Sequence, residues 1–279
     1  MTYKNLLVQV DDSRSCAQRV AFAIDLAAAH DAHLTGLYVL PEASPAAFAQ
    51  GFPPELMSDV QQRTRLEADA ALARFGEAAG RNQVAFESRI DRVLYTEIAD
   101  AVATNARYAD LAILGQHDPD DAASGPSYLP EEVVLGGGRP VLIVPYIGPA
   151  ATFGERVIVA WDASREAARA VNDALPLLRR AKQVGVVSVN PRPWPFAHGE
   201  EPGADIGLHL ARHGVKVEVQ RVEGRDIDTA NAILSHVADQ SADLLVMGGY
   251  GHSRLRELVL GGVTRTILTE MTVPVLMSH

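Results

Sequence analysis

The chain has 279 residues, about twice the common domain size of roughly 100–150, so it suits two domains better than one small module. Hydrophobic residues make up 47% and charged residues 22%, an ordinary globular composition that excludes disordered, collagen-like and coiled-coil classes. Lys plus Arg number 25 against 35 Asp plus Glu, a net charge of −10 that argues against broad binding to nucleic acid or anionic membrane and leaves only a local basic pocket open.

At the start, MTYKNLLVQVDDSRS sets a short apolar run against acidic residues, as a strand entering a turn does and a signal peptide does not. Nowhere do eighteen apolar residues run together, so no membrane span is expected. The single cysteine, Cys16, excludes an intrachain disulfide and any zinc-type Cys/His spacing, which fits a reducing, cytoplasmic location. It reads as a small buried residue on the first helix.

Taken in order, the chain is written twice. Residues 5–13 read NLLVQVDDS and residues 156–164 read RVIVAWDAS, each an apolar run ending in Asp, then Ser, then a helix-like stretch. Residues 110–115 (DLAILG) match 243–248 (DLLVMG), and the RPVLIVP around Pro140 matches the VPVLMSH around Pro274. The first copy carries a long alanine-rich helical stretch at 56–81. In its place the second has a Pro/Gly-rich segment, NPRPWPFAHGEEPG, and a short helix over 204–213. The boundary falls at 146–154, YIGPAATFG, whose Pro and Gly end the last strand of the first copy.

In the second copy, apolar runs at 157–161, 184–189, 215–222, 244–247 and 273–277 are rich in β-branched residues and punctuated by Gly, Pro or Asp, as buried parallel strands are. Between them, 164–182 and 226–240 repeat apolar residues at three- and four-residue spacing, the face of a helix. Ser164 suits an N-cap, and Pro176 should kink the first of these helices. The reading is an α/β fold of two tandem, doubly wound, five-stranded parallel-sheet domains of Rossmann-like type, residues 1–147 and 154–279.

Open α/β sheets bind ligands at the carboxyl ends of their strands, near the point where strand order reverses. That rule selects Asp162, closing the second copy's first strand, and MGGYGHSRLRELVLGGVTRT (247–266) after its fourth. Here Gly248, two residues, Gly251, nine residues, then Gly261 and Gly262 precede Val263 and Thr264. Glycines let backbone approach a phosphate, the following helix N-terminus favours an anion, and Thr264 adds a hydroxyl. Asp162 equally suits a cap for the helix that follows it.

At these residues the chain resembles the universal stress protein family, whose pattern is Gly, two residues, Gly, nine residues, Gly, then Ser or Thr, paired with an Asp that closes the first strand. The resemblance spans essentially the whole chain as two tandem copies. It implies an adenine-nucleotide (ATP) site, with or without Mg or Mn, at Ala160, Trp161 and Asp162, then Val189, then Met247, Gly248 and Gly251, then Gly261, Gly262, Val263 and Thr264. Gly262 departs from the pattern, losing a hydroxyl while keeping its N–H, and Trp161 is large enough either to stack on a nucleotide or to obstruct it. The resemblance also implies a pseudo-two-fold pair of the two copies across their last strands, with a homodimer as a further possibility.

The first copy departs further. Gly115 is followed by QHDPDDAASGPSYLPEEVVLGGGRPVLIVP, with Asp118, Asp120 and Asp121 where phosphates would lie. Gly136, Gly137 and Gly138 sit next to the last strand and read as the end of a short helix. Charge is uneven: residues 1–150 hold 11 basic and 20 acidic residues, net −9, leaving net −1 for the rest. This copy reads as degenerate, with a structural or regulatory role.

Arg254, Arg256 and Arg265 read as a solvated face, and His252 as either a phosphate donor or an exposed loop residue. His209 and His213 read as a surface helix pair, and His30 and His33 as residues bracketing a helix end. Phosphate loops of the Walker type, nucleophile elbows and zinc helices are absent from the sequence, and no base stands beside the glycine loop to drive rapid hydrolysis. The expectation is a nucleotide-binding regulatory protein with slow or no hydrolysis. The alternatives are a nucleotide-independent interaction protein of the same fold, or a module binding another small molecule in the Pro/Trp-lined segment 190–203.

Overall fold

The structure, a computed structural model, describes residues 2–42, 54–148, 152–191, 201–223, 227–249 and 262–279. It divides into two compact units, Thr2–Arg139 and Pro140–His279.

The N-terminal unit comprises β1 (Asn5–Val10), α1 (Cys16–His30), β2 (His33–Glu42), α2 (Pro54–Arg81), β3 (Phe86–Leu94), α3 (Ile98–Ala106), β4 (Leu111–Gly115) and α4 (Leu129–Gly137). Its strands run parallel in the order β3, β2, β1, β4. Strand β1, NLLVQV, is buried at every residue but its first, the pattern of a central strand covered on both faces. In α1 the buried Val20, Ala23, Ile24 and Ala27 recur at three- and four-residue spacing, and Asp31 ends the helix in a left-handed conformation at φ 50°. Helix α4 ends as its glycines suggest, with Gly138 at φ 65°.

The C-terminal unit holds β5 (Val141–Val144), β6 (Arg156–Ala160), α5 (Arg165–Asp173), α6 (Leu175–Leu178), β7 (Gln183–Val189), α7 (Ala204–Arg212), β8 (Val217–Val222), α8 (Thr229–Asp239), β9 (Leu244–Gly248), α9 (Val263–Glu270) and β10 (Val275–Ser278). The order is β5, β10, β9, β6, β7, β8. All pairs are parallel except β5 with β10, where Leu142 faces Leu276 in antiparallel register.

The repeat is geometric as well as textual. Val8 pairs with Ile113 in the first copy and Val159 with Val246 in the second, so Asp11 and Gly115 occupy the places of Asp162 and Gly248. Asp110 accepts the backbone N–H groups of Lys4 (2.7 Å) and Asn5 (3.0 Å), as Asp243 accepts those of Glu155 (3.2 Å) and Arg156 (3.0 Å). That shared tie explains why both fourth strands are preceded by Asp.

The last strands of the two copies, β5 and β10, pair with each other as the resemblance implies, and β5, buried at all four residues, takes its cover beside β10 within the C-terminal unit. The helix expected over 164–182 is broken into α5 and α6. Pro176 has no N–H to donate and its ring crowds the preceding turn, so the chain restarts as a short helix with Pro176 in its first turn.

Candidate nucleotide site

The strand order of the C-terminal unit reverses at β6: the chain passes from it to β7 and β8 on one side, and to β9 and β10 on the other. The carboxyl ends of β6, β7 and β9 therefore meet at the switch point where such sheets bind ligands. Ala160 ends β6, Val189 ends β7, and Met247 and Gly248 end β9. Trp161 N–H donates to Val187 O at 2.8 Å and Ser188 Oγ donates to Trp161 O at 3.0 Å, extending the pairing one residue past β6. Asp162 follows, exposed, with Oδ1 accepting the Ser164 N–H at 2.9 Å. Ser164 Oγ then accepts the Ala167 N–H at 3.1 Å and starts α5, the expected N-cap. Between them Ala163 is left-handed at φ 61°, a conformation that costs an L-residue about 1 kcal/mol or more.

Gly248 is required by close packing. A Cβ there would lie 2.5 Å from the backbone N of Ala167 and 2.7 Å from the carbonyl carbon of Glu166, so the first turn of α5 sits directly on the end of β9. This contact brings in a residue that the sequence reading missed. Glu166 is only 2% exposed, its Oε1 accepts from Arg165 Nε, and its Oε2 has no hydrogen-bond partner among the described residues. Arg165, the first residue of α5, is 87% exposed in its side chain. The signal was present in the sequence as a charged pair immediately after the capping serine.

Gly262 is the N-cap of α9, with φ −65° and ψ 135°. These are angles open to any residue, and among the described residues a Cβ there would meet nothing within 4 Å. Val263 is half-buried, and Thr264 is only 4% exposed. Gly251 and Gly261, together with His252, Arg254 and Arg256, lie outside the described residues, as does most of the segment 190–203. Among the described residues the site gathers Ala160, Trp161, Asp162, Val189, Met247 and Gly248 at three adjacent strand ends, with Gly262, Val263 and Thr264 opening α9. An exposed carboxylate, a strand-end glycine and an open cap position suit a ribose and phosphates. Among the described residues Glu166 is a group of opposite tendency, and Arg165 offsets its charge.

The N-terminal unit fills the corresponding place from within. Asp11 Oδ1 accepts the Ser13 N–H at 3.0 Å, just as Asp162 accepts that of Ser164. Its other oxygen lies 2.7 Å from Nη2 of Arg19, a guanidinium only 2% exposed whose Nε donates to Gln9 O at 2.9 Å. A Cβ on Gly115 would lie 2.2 Å from Arg19 Nη1, so the arginine occupies the space beside the strand-end glycine. The second copy has Ala170 where the first has Arg19.

The acidic segment after β4 is likewise engaged. Arg14 Nη2 donates to Asp118 Oδ2 at 3.1 Å, and Asp121 Oδ2 accepts the Arg14 backbone N–H at 2.7 Å with Arg14 Nε 3.5 Å away. The Arg14 N–H, helped by that of Ala123 and by the Arg14 charge, holds the Asp121 carboxyl below the usual range. Burial pushes the Cys16 thiol up, against the opposing charge of Arg19.

His209 and His213 have ring centroids 4.6 Å apart, and the His213 carbonyl accepts from Arg179 Nε at 3.0 Å. No cluster of three or more His, Cys, Asp or Glu placed to hold a metal occurs among the described residues. Among the same residues no helix is long and apolar enough to cross a membrane.

The profile of the universal stress protein family matches residues 2–144 and again 154–279. The chain belongs to that family, as a tandem member with two copies of its Rossmann-like domain. It is similar to a universal stress protein from Archaeoglobus fulgidus DSM 4304, with a TM-score of 0.73 and 17% identity over 98% of this chain and 95% of that one. It is 40% identical over 67 residues to Universal stress protein Slr1230 of Synechocystis, a stretch covering 24% of this chain and 22% of that protein. The chain thus matches about a fifth of that relative's length. A universal stress protein solved in complex with cAMP covers 52% of this chain and 99% of its own, at 21% identity and a TM-score of 0.36.

Proposed function

We propose that the C-terminal unit binds an adenine nucleotide, ATP foremost, and that the protein reports its nucleotide state to a partner, with slow or no hydrolysis. The observation that supports this reading most is the exposed carboxylate of Asp162 beside Gly248 at the switch point of β6 and β9. The same carboxylate in the first copy is tied to Arg19. Asp162 takes the ribose hydroxyls in this reading, Trp161 and Val189 frame the base, and the backbone from Gly248 through Gly251 and Gly261 to Thr264 receives the phosphates. A divalent cation would accompany the phosphates. The N-terminal unit, which makes up most of the expected domain 1–147, has a structural or regulatory role in this reading and binds no nucleotide.

Calorimetric titration of the full chain with ATP tests this. Saturable binding near one equivalent, lost in Gly251→Asp, is the expected result; no heat with the wild-type chain at millimolar ATP contradicts it. Glu166 favours the rival reading, a nucleotide-independent interaction protein, because a buried carboxylate disfavours an anion nearby. Under that reading Gly251→Asp leaves partner binding unchanged.

A further inference from the structure

The two repeats carry an arginine at the same place, Arg14 and Arg165, each three residues beyond the strand-end aspartate. In the N-terminal unit that arginine is held by carboxylates from the segment after β4: Asp118 at 3.1 Å from Nη2, and Asp121 through the Arg14 backbone N–H at 2.7 Å. Residues 116–121, QHDPDD, supply three acids there. The segment after the equivalent strand β9, GYGHSRLRELVLGG, contains a single acid. Among the described residues Arg165 pairs with its neighbour Glu166, and its side chain stands 87% exposed.

A guanidinium has five N–H donors in a planar fork that suits carboxylate and phosphate oxygens alike, and Glu166 engages only Nε. We propose that Arg165 is the cation that receives the phosphate chain of a nucleotide bound in the C-terminal unit, in the way that Arg14 receives Asp118 and Asp121. This rests on the nucleotide reading above. It gives the first copy's acids a role, since they stand in for phosphate oxygens and keep Arg14 occupied within its own unit. It also makes affinity in the second copy depend on the number of phosphates, with the base and ribose held independently of Arg165.

The test is calorimetric titration of the full chain with ATP and, separately, with adenosine. The proteins are the wild type, Arg165→Ala, Arg165→Lys and Glu166→Gln, each checked by circular dichroism for an unchanged fold. Arg165→Ala is expected to weaken ATP about tenfold or more and leave adenosine unchanged, with Lys restoring part of the loss as a point charge. Glu166→Gln, which frees the arginine and removes a nearby negative charge, is expected to bind ATP at least as tightly as wild type. Equal ATP affinity in wild type and Arg165→Ala would overturn the assignment while leaving the nucleotide site standing, as would an equal loss of ATP and adenosine. A wild-type chain that binds neither compound overturns the nucleotide reading itself.

Discussion

Arg19 Nη2 lies 2.7 Å from Asp11 Oδ2 in the N-terminal unit, and the second repeat has no counterpart because Ala170 stands in the place of Arg19. At this place the two repeats differ in the residue that stands beside the strand-end aspartate. In the first the aspartate neutralises a buried guanidinium, and in the second it faces solvent with one backbone N–H as its partner. The asymmetry between the repeats is a matter of which groups already satisfy the site.

Removing Arg19 should damage the fold and spare the C-terminal site. Arg19→Ala leaves Asp11 partly buried without its partner and empties the space beside Gly115, a loss of about 3 kcal/mol in urea unfolding of the N-terminal unit. Nucleotide affinity should stay at the wild-type value.

Gly262 is open to a side chain. Its φ of −65° is open to any residue and a Cβ there meets none of the described residues, so Gly262→Ser fits the backbone, and the added hydroxyl caps α9 and offers a donor to a phosphate. Stability should rise by no more than a few tenths of a kcal/mol. Calorimetry should show ATP binding severalfold more tightly, and weaker binding would place the phosphates elsewhere.

Cys16 should be inert in the native protein. Its thiol is buried, with a pKa raised by that burial, and its Sγ accepts the Asp11 N–H at 3.4 Å. Alkylation by iodoacetamide at pH 8, followed by mass spectrometry, should proceed only after urea is added.

The Arg14 lock should open in acid. Because the folded pKa of Asp121 is depressed, its contribution is fully present above the unfolded value near 3.8 and is lost as pH falls through the lower folded value. The amide proton shifts of Arg14 and Ala123, the two N–H groups that donate to Asp121, should titrate together with a midpoint below 3.8. In Asp121→Asn that titration should vanish.

Ala163, at φ 61°, holds a conformation that glycine adopts without cost. Ala163→Gly should therefore be neutral or stabilising by under about 1 kcal/mol, the gain being reduced by the greater freedom of glycine in the unfolded chain. Ala163→Val, β-branched, should lower the melting temperature.

Much of this was legible in the residues. The paired runs ending in Asp11 and Asp162, the Ser164 cap and the helix end at Gly138 all follow from local chemistry and stand in the structure as expected, while at Pro176 the expected kink is a full break between two helices. Longer-range facts were not. Arg19 falls on the buried stripe of α1 with Cys16, Val20 and Ala23, so its need for a partner could be read, but its meeting with Asp11 and Gly115 depends on how β1 and β4 pair. The burial of Glu166 depends on Gly248 having no side chain. The placement of β5 beside β10 follows from the family resemblance and not from the four apolar residues VLIV, which by themselves do not say which strand they find for cover.

The most direct measurement is thermal unfolding of the full chain with and without millimolar ATP and magnesium, in wild type and Asp162→Ala. A ligand bound only to the native state stabilises it by about 2.7 kcal/mol at a hundredfold excess over its Kd. The account predicts a clear rise in Tm that Asp162→Ala abolishes; an unchanged Tm in the wild-type protein would contradict it.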